Sequence, residues 1–362
     1  VDQLSGLDVP PLDNSSMDGY ALRCADVPAA GARLVVAQRI PAGSVGHTLA
    51  PGTAARIFTG APIPHGADAV VMQELCSLDG DGVLIDHLPR PGEWIRRAGE
   101  DIARGAVVLT AGQRLGPQML GLAASVGCAT LPVFRRLRVA LFSTGDELVM
   151  PGEPLPPGAI YNSNRYTLRG LLQVLGCEVD DLGIVPDRRE ATRAALREAA
   201  AGHDLIVTSG GVSVGAFEVV RQVVEGDIEF VKVAMQPGKP QACGSLPTAD
   251  GREQALLALP GNPVSVFVSA WAYLRPLLAA FEGADSAWAS TRVVAAEGWK
   301  TPPGRRQYVP VVLTADGVRP AHRLGSGSHL VASLHLAEAL AVVPADVEAV
   351  EPGDVLDVFL VR

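Results

Sequence analysis

Hydrophobic and polar positions along this chain change rhythm several times, and each rhythm predicts a different kind of element. Up to about Arg23 no period is sustained, and Pro10-Pro11 with the run LDNSSMDGYA predicts loop. From about Leu34 to Leu109, short β-type runs (RLVVAQRI, AARIFTG, DAVVMQE, GVLIDHL, GAVVLTAG) alternate with Gly and Pro, which predicts a small all-β domain. Residues 116–127, GPQMLGLAASVG, predict one helix stopped by Gly127. From Leu137 strands and helices alternate. RVALFSTG, CEVDDLGIV, DLIVTSGG and LLALPGNP read as strands, and NSNRYTLRGLLQVLG, RREATRAALREAAAG and EVVRQVVE as helices. Ser163 or Asn164 is placed to cap the first helix and Gly176 to stop it. Asn262 is placed to cap a last helix, with Pro263 at its first position. This alternation predicts a doubly wound, mostly parallel sheet. From about Arg292 the chain returns to broken β runs, expected to form a small barrel or sheet domain.

Composition narrows the class. A chain of 362 residues with 48% hydrophobic content can bury several cores. No unbroken apolar run approaches the roughly 18 residues of a membrane span, so no membrane partner is expected. The net charge of −9 argues against nucleic acid as the main partner. Five scattered cysteines without CxxC spacing read as buried, reduced thiols in a cytoplasmic protein. The start at Val1, with no signal pattern, reads as a trimmed N-terminus.

The candidate chemistry lies at strand ends, where such sheets bind ligands. In DLIVTSGGVSVG a buried strand stops at Ser209-Gly210-Gly211, with Ser213 and Gly215 following. Two readings stand: a loop whose backbone N–H groups and hydroxyls accept an oxyanion, or a tight turn with no ligand. STGDEL (Ser143, Thr144, Gly145, Asp146, Glu147) and LPGNPVS (Gly261, Asn262, Ser265) close two other strands, so the three loops predict a shared anion crevice. Asp146, Glu147, Asp187 and Glu218 would repel a phosphate there unless a cation intervened, and Mg²⁺ suits one or two carboxylates plus phosphate oxygens. Alternatively, Asp146 and Glu147 cap the next helix. KVAMQPGKP adds Lys232 and a rigid turn, Pro237-Gly238-Lys239, as point charges for an anion. PPGRRQY offers the guanidinium of Arg305, and LGSGSHL offers Ser326 and Ser328. The seven histidines show no metal-ligand spacing or triad partner.

Together, DNSSMDGYA, RIFTGAPIPHGADAVV, AGEDI, STGDEL, AIYNSNRYTL, TSGGVSVG, QPGKP and LPGNPVS resemble the MoeA/gephyrin E-domain family, the molybdopterin molybdenumtransferases, in the family's order from about Leu12 to Leu336. The resemblance implies a cytoplasmic homodimeric enzyme of molybdenum cofactor biosynthesis. It would insert molybdate into adenylylated molybdopterin with Mg²⁺ and release AMP. It also implies an α/β multidomain fold. A doubly wound molybdopterin-binding domain (137–285) would join a small β domain (27–105), a discontinuous linking domain (1–26 and 106–136) and a C-terminal β-barrel (286–362). Other cofactor-biosynthesis proteins and acceptor molybdoenzymes are the implied protein partners.

By resemblance, Asp18, Thr59, Asp101, Glu147, Asp187 and Glu218 are the catalytic positions, with Glu147, Asp187 and Glu218 as metal candidates. The first three would reach the anion loops from a neighbouring subunit. The glycine-rich loop and PGKP would hold the pterin phosphate and adenylyl group. Lys239, Ser265, Arg305 and Ser328 would hold molybdate. Two departures stand out. Glu218 occupies a position where members often carry aspartate, and Gln236 one where they often carry lysine. The family's helical N-terminal segment does not precede Val1, so weaker dimerisation is expected. The alternatives are a molybdopterin adenylyltransferase of the same fold and a non-catalytic scaffold. A nicotinamide-binding enzyme fails on the missing GxGxxG fingerprint.

Overall fold

The computed structural model describes residues 1–212, 219–224, 228–248, 251–284, 288–324 and 327–361. It divides into two compact units, Val1–Val133 and Phe134–Arg362.

The first unit is built on a six-stranded sheet in the order Ala69–Met72, Gly19–Leu22, Thr53–Ile57, Ala32–Ile40, Gly82–Ile85, Cys76–Asp79. The loop expected before Arg23 is therefore overturned at GYAL. These four residues form a strand buried on both faces, so they lack the alternation that marks a half-exposed strand. Gly19 has a packing reason: a Cβ there would stand 2.0 Å from the Val71 carbonyl oxygen. Apolar clusters cover both faces, one around Leu22, Val71 and Ile85, the other around Ile40, Ile57 and Val70. The expected helix is present as Pro117–Ser125, with Gly127 at φ +83° just beyond it.

The second unit carries the βαβ rhythm. Its elements run β1 (Arg138–Thr144), α1 (Asn164–Val174), β2 (Glu178–Val185), α2 (Arg189–Ala200), β3 (Leu205–Ser209), α3 (Val219–Val224), β4 (Ile228–Lys232), β5 (Pro240–Pro247) and β6 (Glu253–Leu259). The sheet order is β2-β1-β3-β6-β5-β4. β2, β1, β3 and β6 run parallel, while β5 and β4 are antiparallel. The connection leaving β1 goes to β2 on one side and the connection leaving β3 goes to β4 on the other, so the strand order reverses between β1 and β3. β1 and β3 read as continuous apolar runs because helices cover both faces. Leu141, Leu172 and Leu274 fill one side of the sheet, and Phe142, Leu196 and Val220 the other.

The stretch Pro263–Phe281 is helical throughout, with a π segment at Ala270–Leu274. The π turn lies just ahead of Pro276, whose missing N–H interrupts the i→i−4 ladder. By length and mean hydropathy alone this stretch reaches the range of a membrane span, but its apolar runs are broken by Ser265, Ser269 and Arg275 and half of it is buried inside the protein. Val266, Ala270, Leu274 and Leu278 face the sheet core, and Val264, Val268 and Trp271 pack towards Leu340 of the C-terminal sheet.

That last sheet runs Met235–Gln236, Arg306–Thr314, Ala339–Val343, Val355–Leu360, Ser290–Val294. Gly317–Pro320 also pairs with Arg306–Thr314, and a bridge from Ala295 to Val318 brings the path back on itself around Val309, Val311 and Val358. The pairing of Met235–Gln236 with Arg306–Gln307 draws the loop before PGKP onto this sheet. None of the five cysteines, all among the described residues, forms a disulfide, but only Cys177 is buried; Cys243 is exposed and the others lie between, against the expectation of buried thiols.

Candidate functional site

At the C-terminal ends of β1, β3 and β6 a cavity of about 680 Å³ opens over the point where strand order reverses. Thr144, Gly145 and Glu147 enter it from the β1 loop, and Ser209, Gly210 and Gly211 from the β3 loop. Gly261, Asn262 and Ser265 come from the turn after β6, and Pro237, Gly238 and Lys239 from the rigid turn before β5. Asp187, Arg305 and Ser328 complete the predicted set.

Several predicted residues lie elsewhere. Ser143 is fully buried beneath the cavity, with its hydroxyl 2.9 Å from that of Ser209. Lys232 is exposed at the end of β4, opposite Pro240, and does not line the cavity. The edge-strand position, not the charge, decides where its side chain goes. Ser213, Gly215, Glu218 and Ser326 lie outside the described residues. Asp18, Thr59 and Asp101 belong to the first unit. Asp101 is exposed there, and Asp18 Oδ1 accepts both the backbone N–H and the hydroxyl of Thr59, each at 2.8 Å. Those two bonds, the backbone one first, hold the Asp18 carboxyl below the usual aspartate range.

The glycines at β3 answer a local demand. Gly210 and Gly211 have φ of +92° and +73°, and a Cβ on Gly210 would stand 2.6 Å from the Thr144 carbonyl oxygen. Close approach of the β1 loop at Gly210, and of Val220 at Gly211, 2.6 Å from a Cβ there, thus explains both glycines without a ligand; the cavity above them is a separate observation. Gly238 has φ +104° and sits against Ser269, while the buried Gln241 amide donates to the Gly238 carbonyl at 2.7 Å and to Ser269 Oγ at 2.6 Å. This fixes the turn that presents Lys239. Arg305 is brought in by the pairing of Arg306 with Met235, and its Nη1 donates to Gln236 Oε1 at 3.4 Å.

The expected caps are corrected. Ser163 makes no capping bond; Asn162 Oδ1 instead accepts the Arg165 N–H at 3.2 Å. Asn164 donates to the Gly261 carbonyl at 2.6 Å, tying the start of α1 to the turn after β6. Pro263 does open its helix and Asn262 holds the N-cap position, its carbonyl accepting the Val266 N–H at 2.9 Å, but its side chain makes no capping bond and donates to Ser328 Oγ at 3.1 Å. The Ser328 carbonyl accepts the Val264 N–H at 3.0 Å, so a loop distant in sequence satisfies the helix start. Nor do Asp146 and Glu147 cap a helix, since α1 begins at Asn164. Asp146 Oδ1 accepts the Asp187 N–H at 3.1 Å, and Glu147 folds back so that Oε2 would lie 2.7 Å from a Cβ on Gly145.

One cavity thus holds two carboxylates, Glu147 and Asp187, and two cations, Lys239 and Arg305. Burial first, then the negative charges of Asp146 and Glu147, push the Asp187 carboxyl up, with a hydrogen bond to the Asp146 backbone partly opposing. No group of three or more His, Cys, Asp and Glu side chains arranged for a metal occurs among the described residues. Asn162, Asn164 and Gln236 also line the cavity and were missed as site residues. The signal is the NSN triplet, in which the sequence reading gives Ser163 or Asn164 a capping role and assigns Asn162 none.

Family models match nearly the whole chain: the MoeA N-terminal region (domain I and II) over residues 1–127, a probable molybdopterin binding domain over 140–280, and the MoeA C-terminal region (domain IV) over 292–361. The molybdopterin molybdenumtransferase of Haemophilus influenzae is 43% identical over 306 residues, 83% of this chain and 71% of that protein. Molybdopterin molybdenumtransferase 2 of Mycobacterium tuberculosis is 41% identical over 372 residues, 99% of this chain and 91% of that one. The crystal structure of the molybdopterin biosynthesis MoeA protein of Pyrococcus horikoshii superposes with a TM-score of 0.82 at 33% identity, covering 100% of this chain and 90% of that one. The order of its motifs, its fold and these matches agree: the chain belongs to the MoeA family of molybdopterin molybdenumtransferases.

Proposed function

We propose that this chain acts in molybdenum cofactor biosynthesis, inserting molybdate into adenylylated molybdopterin with Mg²⁺-dependent release of AMP. The observation that carries this is the pairing of Glu147 and Asp187 with Lys239 and Arg305 in one cavity at the strand-order reversal. A cavity with both signs of charge suits a substrate that brings a phosphoanhydride, a divalent cation and an oxyanion together.

Glu147 and Asp187 fit Mg²⁺, which takes one or two carboxylates and completes its shell with water and phosphate oxygens. The raised Asp187 carboxyl supports this, because a nearby cation would offset the buried negative charge. When bound, Mg²⁺ supplies charge neutralisation at the phosphoanhydride oxygens. Lys239, Ser265, Arg305 and Ser328 hold molybdate. The two dithiolene sulfurs bond to molybdenum while their protons leave with one molybdate oxygen as water; a water attacks an anhydride phosphorus, the P–O bond breaks, and AMP and the pterin phosphate separate, each with its own phosphate. Lys239 and the backbone N–H groups of the glycine loop offset the growing negative charge.

The chain would work as a cytoplasmic homodimer, with Asp18, Thr59 and Asp101 supplied to the cavity by the second copy and the product passed to acceptor molybdoenzymes. Its four-part division, 1–26 with 106–136, 27–105, 137–285 and 286–362, belongs to the same proposal. The test is AMP release from adenylylated molybdopterin in the presence of molybdate and Mg²⁺. Glu147→Gln is expected to abolish release while nucleotide still binds. Undiminished turnover in that variant overturns the role of Glu147.

A further inference from the structure

Two buried side chains in the cavity wall carry hydrogen-bonding atoms that no described residue engages. Asn162 is 1% exposed and Thr144 5%, and both line the cavity. Neither Asn162 Nδ2 nor Thr144 Oγ1 has a hydrogen-bond partner among the described residues. The Asn162 amide is oriented by its other end. Its Oδ1 accepts the Arg165 N–H at 3.2 Å and the Ser143 hydroxyl at 3.4 Å. Only a carbonyl oxygen meets a backbone N–H, so the NH₂ group faces the other way. Ser143 in turn pairs with Ser209. A side chain on Gly210 or Gly211 would press on the Thr144 hydroxyl, at 3.2 and 3.0 Å from a Cβ.

Buried polar atoms without partners weaken a fold, and native proteins carry few of them. Two such atoms in one cavity wall point to a ligand. We infer that Asn162 Nδ2 and Thr144 Oγ1 form a neutral two-donor subsite for a phosphoryl oxygen of the substrate, separate from the cationic pair Lys239 and Arg305. Phosphoryl oxygens are the strongest acceptors on the substrate proposed above, and the inference rests on that assignment. Neutral donors hold such an oxygen next to Glu147 without forming an ion pair with that carboxylate. Ser143, predicted to bind ligand, becomes a positioning residue that acts through Asn162.

The test uses two nearly isosteric variants of the full chain, Asn162→Asp and Thr144→Val. The first keeps the Oδ1 acceptor for the α1 start, where a carboxylate is favourable, and replaces the donor with a negative charge. The second removes an unpaired hydroxyl. Neither variant is expected to melt lower than wild type, yet each should weaken binding of AMP or of molybdopterin, measured by calorimetry, by about tenfold. Loss for AMP assigns the subsite to the adenylyl phosphate, and loss for molybdopterin to the pterin phosphate. Unchanged affinity for both probes overturns the subsite. So does a loss confined to Asn162→Asp, which charge repulsion alone would explain, or a lowered melting temperature in both variants. If wild type binds neither probe, the substrate assignment itself fails.

Discussion

The carboxylate of Asp146 accepts the backbone N–H of Asp187 at 3.1 Å, joining the loops that follow β1 and β2. This bond holds two acidic segments side by side at the cavity rim. Its electrostatic consequence falls on Asp187, whose carboxyl is raised by burial first and then by the neighbouring carboxylates.

A raised carboxyl binds its proton more tightly folded than unfolded, where the ordinary value is 3.8. Its contribution to stability is full below 3.8 and is lost as pH rises through the folded value. At neutral pH, without divalent cation, Asp187→Asn should therefore melt higher than wild type, and the gap should close on acidification. Thermal melts across pH check this; a lower melting temperature at neutral pH contradicts it.

If Glu147 and Asp187 share a cation, Mg²⁺ at millimolar concentration should raise the melting temperature of the nucleotide-bound protein, because a ligand of the folded state stabilises it. The combined Glu147→Gln and Asp187→Asn change should remove that increment. An equal increment in the double variant places the cation elsewhere.

Thr59 donates twice to Asp18, and replacing it by alanine removes only the hydroxyl. The Asp18 carboxyl should move part of the way back up towards its ordinary range, since the backbone N–H, the larger cause, remains. An NMR titration of Asp18 in Thr59→Ala measures the shift; full recovery would mean the backbone bond is lost as well.

Two glycines with nearly equal φ separate conformational strain from crowding. A Cβ on Gly152, at φ +96°, would have nothing within 4 Å, whereas one on Gly210, at +92°, would meet the Thr144 carbonyl oxygen at 2.6 Å. Gly152→Ala should cost about 1 kcal/mol from the left-handed conformation alone. Gly210→Ala should cost more and also disturb the cavity. Denaturant unfolding of both variants makes the comparison.

Arg305 reaches the cavity with its guanidinium held against Gln236. If Arg305 holds molybdate as proposed, Arg305→Ala should weaken molybdate binding about tenfold and flatten its dependence on salt, because one charge-assisted contact would be lost. Competition binding at two ionic strengths reads both effects.

Much of the α/β sheet was legible because a buried parallel strand announces itself locally. RVALFST and LIVTS are short apolar runs ended by small residues, and the helices between them have clear periods. GYAL was not legible: four residues buried on both sides, following a polar run, carry no period to read. The three loops of the crevice were visible as Gly-rich strand ends, and their convergence follows from parallel strands sharing one end. Asn162 was half seen, recognised as belonging to a helix start but not as a wall of the cavity.

The sequence by itself determined the alternation of strands and helices from β1 to β3, the strand ends that carry glycine, and the charged residues available to a site, because these depend on local backbone preference and side-chain type. Tertiary structure decided which of them meet. It set Lys232 outside and Arg305 inside through strand pairing, gave the Val264 N–H to Ser328, and turned Asp146 towards Asp187 instead of a helix. Those outcomes depend on hydrogen-bond partners far apart in the chain, and local pattern holds no record of them.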